Sequence, residues 1–355
     1  MPVNPGIQPA PADLALVKEG DVRIAPLLGI PRLLADFGVD ADAVMAEAGF
    51  DQIWFEDGEN TIPFADAGRL LSLCAARTQC PHFGLLVGQN AGLDVLGVVG
   101  RLAAHAPDVG SALRNTILYL HLHDRGAIPT MWVNGDRAVV AYTIYQPTIV
   151  GTVQIYDLAM AVTYNTLKTL VGPGWKASEI CLFRARPDDI KPYRRFFGNR
   201  LSFGDQRSVV VFPASFLDRR LSGANAQIHA QIMCEIERLE ARGGGDLATQ
   251  LRRVLRRLLI AGAGQEETSI SQVAAVFAIH RRTLNRRLRA DGTSFKALID
   301  ETRYDIARQL LRDTRLAITD IATALDYSEA AAFDRAFRRW SGMSPTSWRT
   351  NHSPI

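Results

Sequence analysis

The stretch Ile321-Ala322-Thr323-Ala324-Leu325-Asp326-Tyr327-Ser328, continued by Ala332-Phe333-Asp334-Arg335-Ala336-Phe337-Arg338-Arg339-Trp340, decides the reading of this chain. It is the second copy of a loose repeat. Val273-Ala274 recurs as Ile321-Ala322 after 48 positions, and Leu284, Arg286, Leu288 and Arg289 recur as Phe333, Arg335, Phe337 and Arg338 after 49. One residue added in the second turn accounts for the change of offset. Each copy opens with a short helix bearing a small residue, Ala274 or Ala322, where another helix must cross closely. A short turn and a second helix follow, which is the geometry of a helix-turn-helix.

In the first copy, Ser269 stands as N-cap with Gln272 at the third helical position, a capping-box arrangement. Its helix is expected to run to about Phe277. The second helix, Arg281 to Ala290, sets Leu284 and Leu288 on its buried side and leaves Arg281, Arg282, Asn285, Arg286 and Arg289 outside. Gly292 stops it. A helix from Phe295 to Arg312, striped with Phe295, Leu298, Ile299, Ile306 and Leu310, then spaces the two units. The second copy spans Thr319 to Leu325 and Glu329 to Trp340, with Phe333, Phe337 and Trp340 inward.

From Ser269 to Arg349 the chain resembles the AraC/XylS-type DNA-binding domain, carried by the residues quoted above and by Gly342-Met343-Ser344-Pro345. The resemblance implies an all-α domain whose two recognition helices enter adjacent major-groove segments of promoter DNA. Grooves on one face of a duplex recur about every 34 Å, which suits paired heads on a fixed spacer. Carried over residue by residue, the first head offers Arg281, Arg282, Asn285 and Arg286, with Arg289 beside them. The second offers Glu329, Ala330, Ala331 and Arg335. Arginine matches guanine O6 and N7, whereas Asn285 suits adenine or a phosphate; contacts to the DNA backbone alone are the competing reading for each. Alanines touch a thymine methyl but donate no hydrogen bond, so the first head is expected to dominate base discrimination. Asp326 stands where the family has glycine; aspartate reaches the left-handed region at modest cost.

Charge supports a polyanion partner for this end of the chain. Of 355 residues, 40 are basic and 37 acidic, yet from Asp246 onward 18 basic face 12 acidic residues, a local excess of six. Only five of the 40 are lysines, and the arginine fork grips phosphate or guanine with two hydrogen bonds. Hydrophobic residues at 47% and charged residues at 22% describe an ordinary globular chain of about two domains. The most apolar stretch, Ile149 to Val162, is broken by Gln154 and Asp157, so no membrane span is expected. The first residues carry no basic flank before an apolar core, which predicts a short tail rather than a secretory signal. Cys74, Cys80, Cys181 and Cys234 form no Cys-x-x-Cys pair and read as reduced thiols of a cytoplasmic protein.

The chain divides at Arg242-Gly243-Gly244-Gly245-Asp246 and again at Ala261-Gly262-Ala263-Gly264. The expected organisation is a tail over 1–20, an effector-sensing and dimerisation domain over 21–223, a helical linker over 224–264, and the DNA-binding domain over 265–350. Ile228, Ile232, Ile236 and Leu239 form a stripe that suits either a dimer helix or intramolecular packing. Arg252, Arg253, Arg256 and Arg257 decorate the next helix as a solvated face or as phosphate contacts.

The N-terminal part reads as α+β: helices to about Asn115, entered near Pro63, Pro81 and Pro107, then a mainly antiparallel sheet. Strands are expected at Thr116–His123, Thr130–Asn134, Arg137–Tyr145, Ser178–Arg184 and Ser208–Phe212. Asn134-Gly135-Asp136 is a hairpin signal. Helices are expected at Thr152–Val171, closed by Gly172-Pro173-Gly174, and at Lys191–Phe197.

Gly174-Trp175-Lys176-Ala177, Arg195-Phe196-Phe197-Gly198 and Leu201-Ser202-Phe203-Gly204 resemble the N-terminal effector domain of ornithine-utilisation-regulator and VirS-like members of the same family. That resemblance implies a ligand-responsive regulator, usually an activator working with RNA polymerase. It names no effector. His121 and His123, two apart on an expected strand, are metal candidates without a third ligand, so no metal is expected. Tyr142, Tyr145 and Tyr156 line a pocket or pack in the core with a surface hydroxyl. Cys181 reads as a small buried hydrophobe. No phosphate loop or nucleophile motif occurs, so no catalytic residue and no cofactor are expected. The alternatives are a constitutive DNA binder whose N-terminal domain only dimerises, and a DNA-targeted enzyme of the reactive-cysteine repair kind, which lacks here the clustered cysteines it needs.

Overall fold

A computed structural model describes residues 17–18, 20–144, 149–172, 174–204, 208–242, 247–260, 268–276, 280–313 and 316–352. The expected ends at Tyr145 and Phe277, and the residues between Gly243 and Asp246 and between Ala261 and Gly264, lie outside these ranges. No helix among the described residues is long and apolar enough to cross a membrane.

The N-terminal part is α+β, as expected. A small antiparallel pair, β1 (Asp21–Arg23) and β2 (Thr61–Pro63), brackets helices α1 (Ile30–Asp36) and α2 (Ala41–Glu47). Then follow α3 (Phe64–Arg77), α4 (Phe83–Gln89), α5 (Val98–Ala104) and α6 (Val109–Tyr119). Next come β3 (Ala127–Asn134) and β4 (Arg137–Ile144), joined through Gly135 at φ +61°. Helix α7 (Thr152–Val171), β5 (Glu179–Leu182), α8 (Lys191–Phe197), β6 (Leu201–Phe203) and β7 (Ser208–Pro213) complete a five-stranded sheet of order β3-β4-β7-β5-β6. Only β5 and β6 run parallel.

One expectation is corrected. Thr116–His123 is not a strand: α6 carries through Thr116 to Tyr119, and a single 3₁₀ turn covers Leu120–Leu122. Ala112, Leu113, Thr116, Ile117 and Leu120 recur at helical spacing, and Asp108 caps the start by accepting from the Ser111 amide at 2.7 Å. Helical burial outweighs the strand preference of Thr116, Ile117 and Tyr119. His121 and His123 therefore share no strand face. Among the described residues no cluster of three His, Cys, Asp or Glu side chains suits a metal ion.

Helix α7 is the centre of this part. Gly84 and Gly88, one turn apart on α4, let it cross α7 in backbone contact: a Cβ at Gly84 would stand 2.1 Å from the Gln154 carbonyl oxygen, and one at Gly88 2.6 Å from that of Leu158. Gln154 locks the crossing, accepting from the Gly84 amide at 2.7 Å and donating to the Pro81 carbonyl at 3.0 Å. Further along α7, Asp157 is buried and takes an ion pair from Arg184 and a hydrogen bond from the Tyr193 hydroxyl at 2.6 Å. Burial pushes its pKa up to about 6 in spite of both partners. Helix α9 (Ala226–Arg242) closes this core, with Ile232, Ile236 and Leu239 buried in it. That is the intramolecular reading for three residues of the stripe; the fourth, Ile228, is exposed.

The C-terminal part is all α: α10 (Leu247–Ile260), α11 (Ile270–Val276), α12 (Arg281–Ala290), α13 (Phe295–Asp313), α14 (Ile318–Ala324), α15 (Ala330–Ser341) and α16 (Pro345–His352). Two apolar clusters hold it. Leu251, Leu255, Val273, Ala274, Leu284, Leu288 and Leu298 pack under the α11–α12 pair. Leu259, Ile306, Ile321, Ala322, Phe333, Phe337 and Trp348 pack under the α14–α15 pair. Ala274 and Ala322 are both buried at the crossings. Asp326 turns α14 into α15 with φ +63°, while its carboxylate lies 3.7 Å from Arg303.

Two variants test these anchors. Arg184→Met strands Asp157 without its cation and is expected to lower stability by about 3–5 kcal/mol in urea titration. Asp326→Ala combines left-handed strain with loss of a partly exposed ion pair and is expected to cost about 1–2 kcal/mol. Asp326→Gly is expected to recover the backbone share of that loss.

Candidate nucleic-acid interface

Helix α12 begins where the His280 ring Nδ1 accepts from the Arg282 amide at 3.2 Å, a cap on the first turn. Leu284 and Leu288 bury one side completely. Arg281, Arg282, Asn285, Arg286 and Arg289 are all exposed, and Arg282, Arg286 and Arg289 run down the face opposite the two leucines. Arg287 is exposed on the flank of the same helix. It belongs with this set and escapes a reading of the sequence that stops at the face most distant from the core.

Helix α15 mirrors this arrangement. Phe333, Ala336 and Phe337 face inward, while Ala331 and Arg335 are exposed on the opposite face. Glu329 is exposed at the N-cap and makes no side-chain cap. Ala330 is half-buried and packs against the second cluster, so it offers less surface than its neighbour. Trp340 is half-buried, as an inward residue at the edge of that cluster.

Ion pairing separates the arginines into two populations. Arg338 pairs with Asp334 at 2.8 Å, Arg339 with Asp300 at 3.3 Å, Arg308 with Asp305 at 2.7 Å and Arg252 with Glu301 at 2.8 Å. Arg303 is held by Asp326 and lies over the Tyr327 ring at 5.2 Å. By contrast, Arg281, Arg282, Arg286, Arg287, Arg289 and Arg335 form no ion pair with any described residue. A concentrated set of cations without carboxylate partners is the electrostatic form of a surface that meets a polyanion. Arg252 takes the bland reading of its helix face, and the side chains of Arg253 and Arg257 lie outside the description.

The spacing between the two faces is set by α13, whose 19 residues rise about 28 Å. It packs against α10, α14 and α16 and so fixes both helix pairs to one rod. Ser294 caps its first turn, accepting from the Ala297 amide at 3.1 Å.

A cavity of about 120 Å³ lies in the N-terminal part, far along the chain from these arginines. It is walled by β1, α3, α6, α7 and the start of the β3–β4 hairpin. Tyr142 does line it, but its hydroxyl donates to buried Asp124 at 2.6 Å instead of reaching the surface. Tyr156 is buried in the core, where its hydroxyl accepts from the Ile144 amide at 3.2 Å. Cys181 is buried on the opposite face of the sheet among Ala141, Val209 and Val211. Helix α6 and strand β3, which wall the cavity, also pack against α10.

Known proteins place this architecture. Residues 38–221 match the family described as the arabinose-binding N-terminal domain of the AraC transcription regulator, and residues 273–351 match a helix-turn-helix domain. The HTH-type transcriptional regulator VirS of Mycobacterium tuberculosis is 28% identical over 335 residues, spanning 92% of this chain and 96% of its own. The ornithine utilization regulator of Pseudomonas aeruginosa is 25% identical over 317 residues, spanning 89% and 93%. The crystal structure of the regulator CdpR from Pseudomonas aeruginosa aligns over 92% of this chain and 98% of its own, with a TM-score of 0.47 and 22% identity. With one family model covering more than half of its length and a helix-turn-helix model covering its C-terminal end, the chain belongs to the AraC family of DNA-binding transcriptional regulators.

Proposed function

We propose that the chain is a cytoplasmic, ligand-responsive activator that grips promoter DNA with both helix pairs at once. The observation that carries the DNA reading is the set of six exposed arginines on α12 and α15 without a carboxylate partner among the described residues. In this reading α12 and α15 are the two recognition helices and enter successive major grooves, held at one separation by α13. Arg282, Arg286, Arg289 and Asn285 face bases or phosphates from the first head, joined by Arg281 and Arg287 at its margins. Glu329, Ala330, Ala331 and Arg335 face DNA from the second.

The first head reads sequence and the second mainly positions. An arginine at a guanine makes a fork of two hydrogen bonds, whereas Ala331 gives a methyl contact and Arg335 is joined on its face by Arg338, which is paired with Asp334. The division proposed with this function is a sensing and dimerising part over 21–223, a helical connection over 224–264 whose α9 rests on the first core and whose α10 rests in the clusters of the last part, and a DNA-binding part over 265–350. Homodimerisation and contact with RNA polymerase complete the proposal. A ligand-responsive activator is favoured over a constitutive binder because α6 and β3 wall a cavity and also touch α10, whose leucines are seated beneath both helix pairs.

The test is selection of bound duplexes from a random pool by the purified full chain, followed by anisotropy titration on the selected site. Binding is expected to weaken steeply with salt, as phosphate neutralisation requires. Arg286→Ala is expected to cost about 1–3 kcal/mol and to relax preference at one base pair. Arg335→Ala is expected to weaken all sequences alike and to reduce the salt slope by about one. Equal loss of base preference in both variants would overturn the division of labour. Salt-insensitive binding would overturn the DNA-binding face itself.

A further inference from the structure

Two residues that line the cavity in the N-terminal part each hold a buried polar atom with nothing to bond. His123 Nδ1 and Thr166 Oγ1 are both sealed from solvent and lack a hydrogen-bond partner among the described residues, and both residues line the cavity. Each residue is only 4% exposed. A buried polar atom without a partner is costly, so a hydrogen-bonding group that reaches either atom gains affinity by pairing it.

The other polar groups of the wall are already engaged. Arg23 donates to the Leu122 carbonyl at 2.8 Å and the Glu59 carbonyl at 2.8 Å, and pairs with the Glu59 carboxylate at 2.6 Å. Asp124 accepts from the Gly126 amide at 2.7 Å and the Tyr142 hydroxyl at 2.6 Å. Burial and the neighbouring Arg23 push the His123 ring down to about 3, so it is neutral at physiological pH. The fixed charges around the cavity are thus one cation already paired with Glu59 and one buried carboxylate. An anionic ligand would find no cation left for it and would meet Asp124; a cationic one would meet Arg23.

The remaining wall is hydrocarbon, drawn from Phe64, Leu71, Leu113, Ile155 and Val162 among others. Its volume of about 120 Å³ is close to that of an engineered apolar cavity of roughly 150 Å³ that holds benzene. Resting on the ligand-responsive reading above, we propose that the effector is a neutral, single-ring or compact branched alcohol or phenol. Its hydroxyl bonds to His123 Nδ1, Thr166 Oγ1 or both, and its hydrocarbon body fills the space between α6 and α7. A hydroxyl both donates and accepts, so it satisfies either tautomer of the ring. A polyhydroxylated pentose, which the matched family's description brings to mind, would bury most of its hydroxyls against hydrocarbon without partners.

The experiment is calorimetric titration of the full chain with phenol and cyclohexanol, against benzoate, L-arabinose and toluene. Phenol and cyclohexanol are expected to bind once per chain, and benzoate and L-arabinose at least about tenfold more weakly. Thr166→Val removes the hydroxyl at nearly constant volume. It is expected to weaken phenol or cyclohexanol about fivefold or more while leaving toluene within about twofold. Val162→Phe is expected to abolish all three by filling the cavity, with circular dichroism confirming the fold.

Benzoate or arabinose binding as tightly as phenol would overturn the ligand class. So would the absence of binding by either alcohol, or phenol and cyclohexanol binding unchanged in both folded variants. Affinity for the selected DNA site is measured in parallel. Binding of the alcohols with unchanged DNA affinity would sustain the site and its chemistry while overturning its role as a sensor.

Discussion

Two helices, α10 and α13, are shared by the two apolar clusters of the C-terminal part, and the placement of α12 and α15 depends on that sharing. Leu251 and Leu255 of α10 sit beneath α11 and α12, while Leu259 of the same helix sits beneath α14 and α15. On α13, Leu298 belongs to the first cluster and Ile306, Ala307, Leu310 and Leu311 to the second, with Ile299 touching both. Neither cluster is large. Each gains rigidity because close-packed side chains on a common rod cannot relax independently. The separation and relative twist of α12 and α15 are therefore properties of a packed core and not of a flexible linker.

The arginines show the same economy of placement. A basic face is not in itself a binding face, and Arg252, Arg303, Arg308, Arg338 and Arg339 are matched to acids on their own or other helices. Five exposed arginines on α12, with one counterpart on α15, find no acid among the described residues. Surface ion pairs of the matched kind contribute little stability, about 0–1 kcal/mol each. Their larger effect is to lower the local field where Arg338, Arg339, Arg308 and Arg252 lie, so the field is strongest along α12.

Much of this was legible in the residues. The ends of α12 follow from Leu284, Leu288 and Gly292; those of α7 follow from Thr152 and Gly172; the hairpin follows from Asn134-Gly135; and Asp326 adopts the left-handed turn its position demanded. The failures have physical causes. Thr116, Ile117 and Tyr119 favour strands in isolation, but a capped helix buried on one side overrides that preference. Strands β1, β2 and β6 have three residues each, too few to show a period of two. Pairing state is invisible as well: nothing in the order of residues distinguishes Arg338, which finds Asp334, from Arg335, which finds no acid. The cavity was out of reach for a related reason, since its wall joins Arg23, Phe64, His123, Tyr142 and Thr166 from segments far apart in the chain.

The glycine crossing of α4 over α7 gives the cavity one stiff side. Where Gly84 and Gly88 meet the carbonyls of Gln154 and Leu158, backbone already rests on backbone, and α7 has nowhere to retreat. Across the space, α6 is held at its start by backbone bonds, the Val109 and Gly110 amides donating to the carbonyls of Arg219 and Leu217, and it packs on α5 and α10. An occupant slightly too large for the chamber therefore meets its stiffest wall at α7. Helix α6 packs against α10, so one wall of the chamber directly touches the helix whose leucines lie beneath both helix pairs.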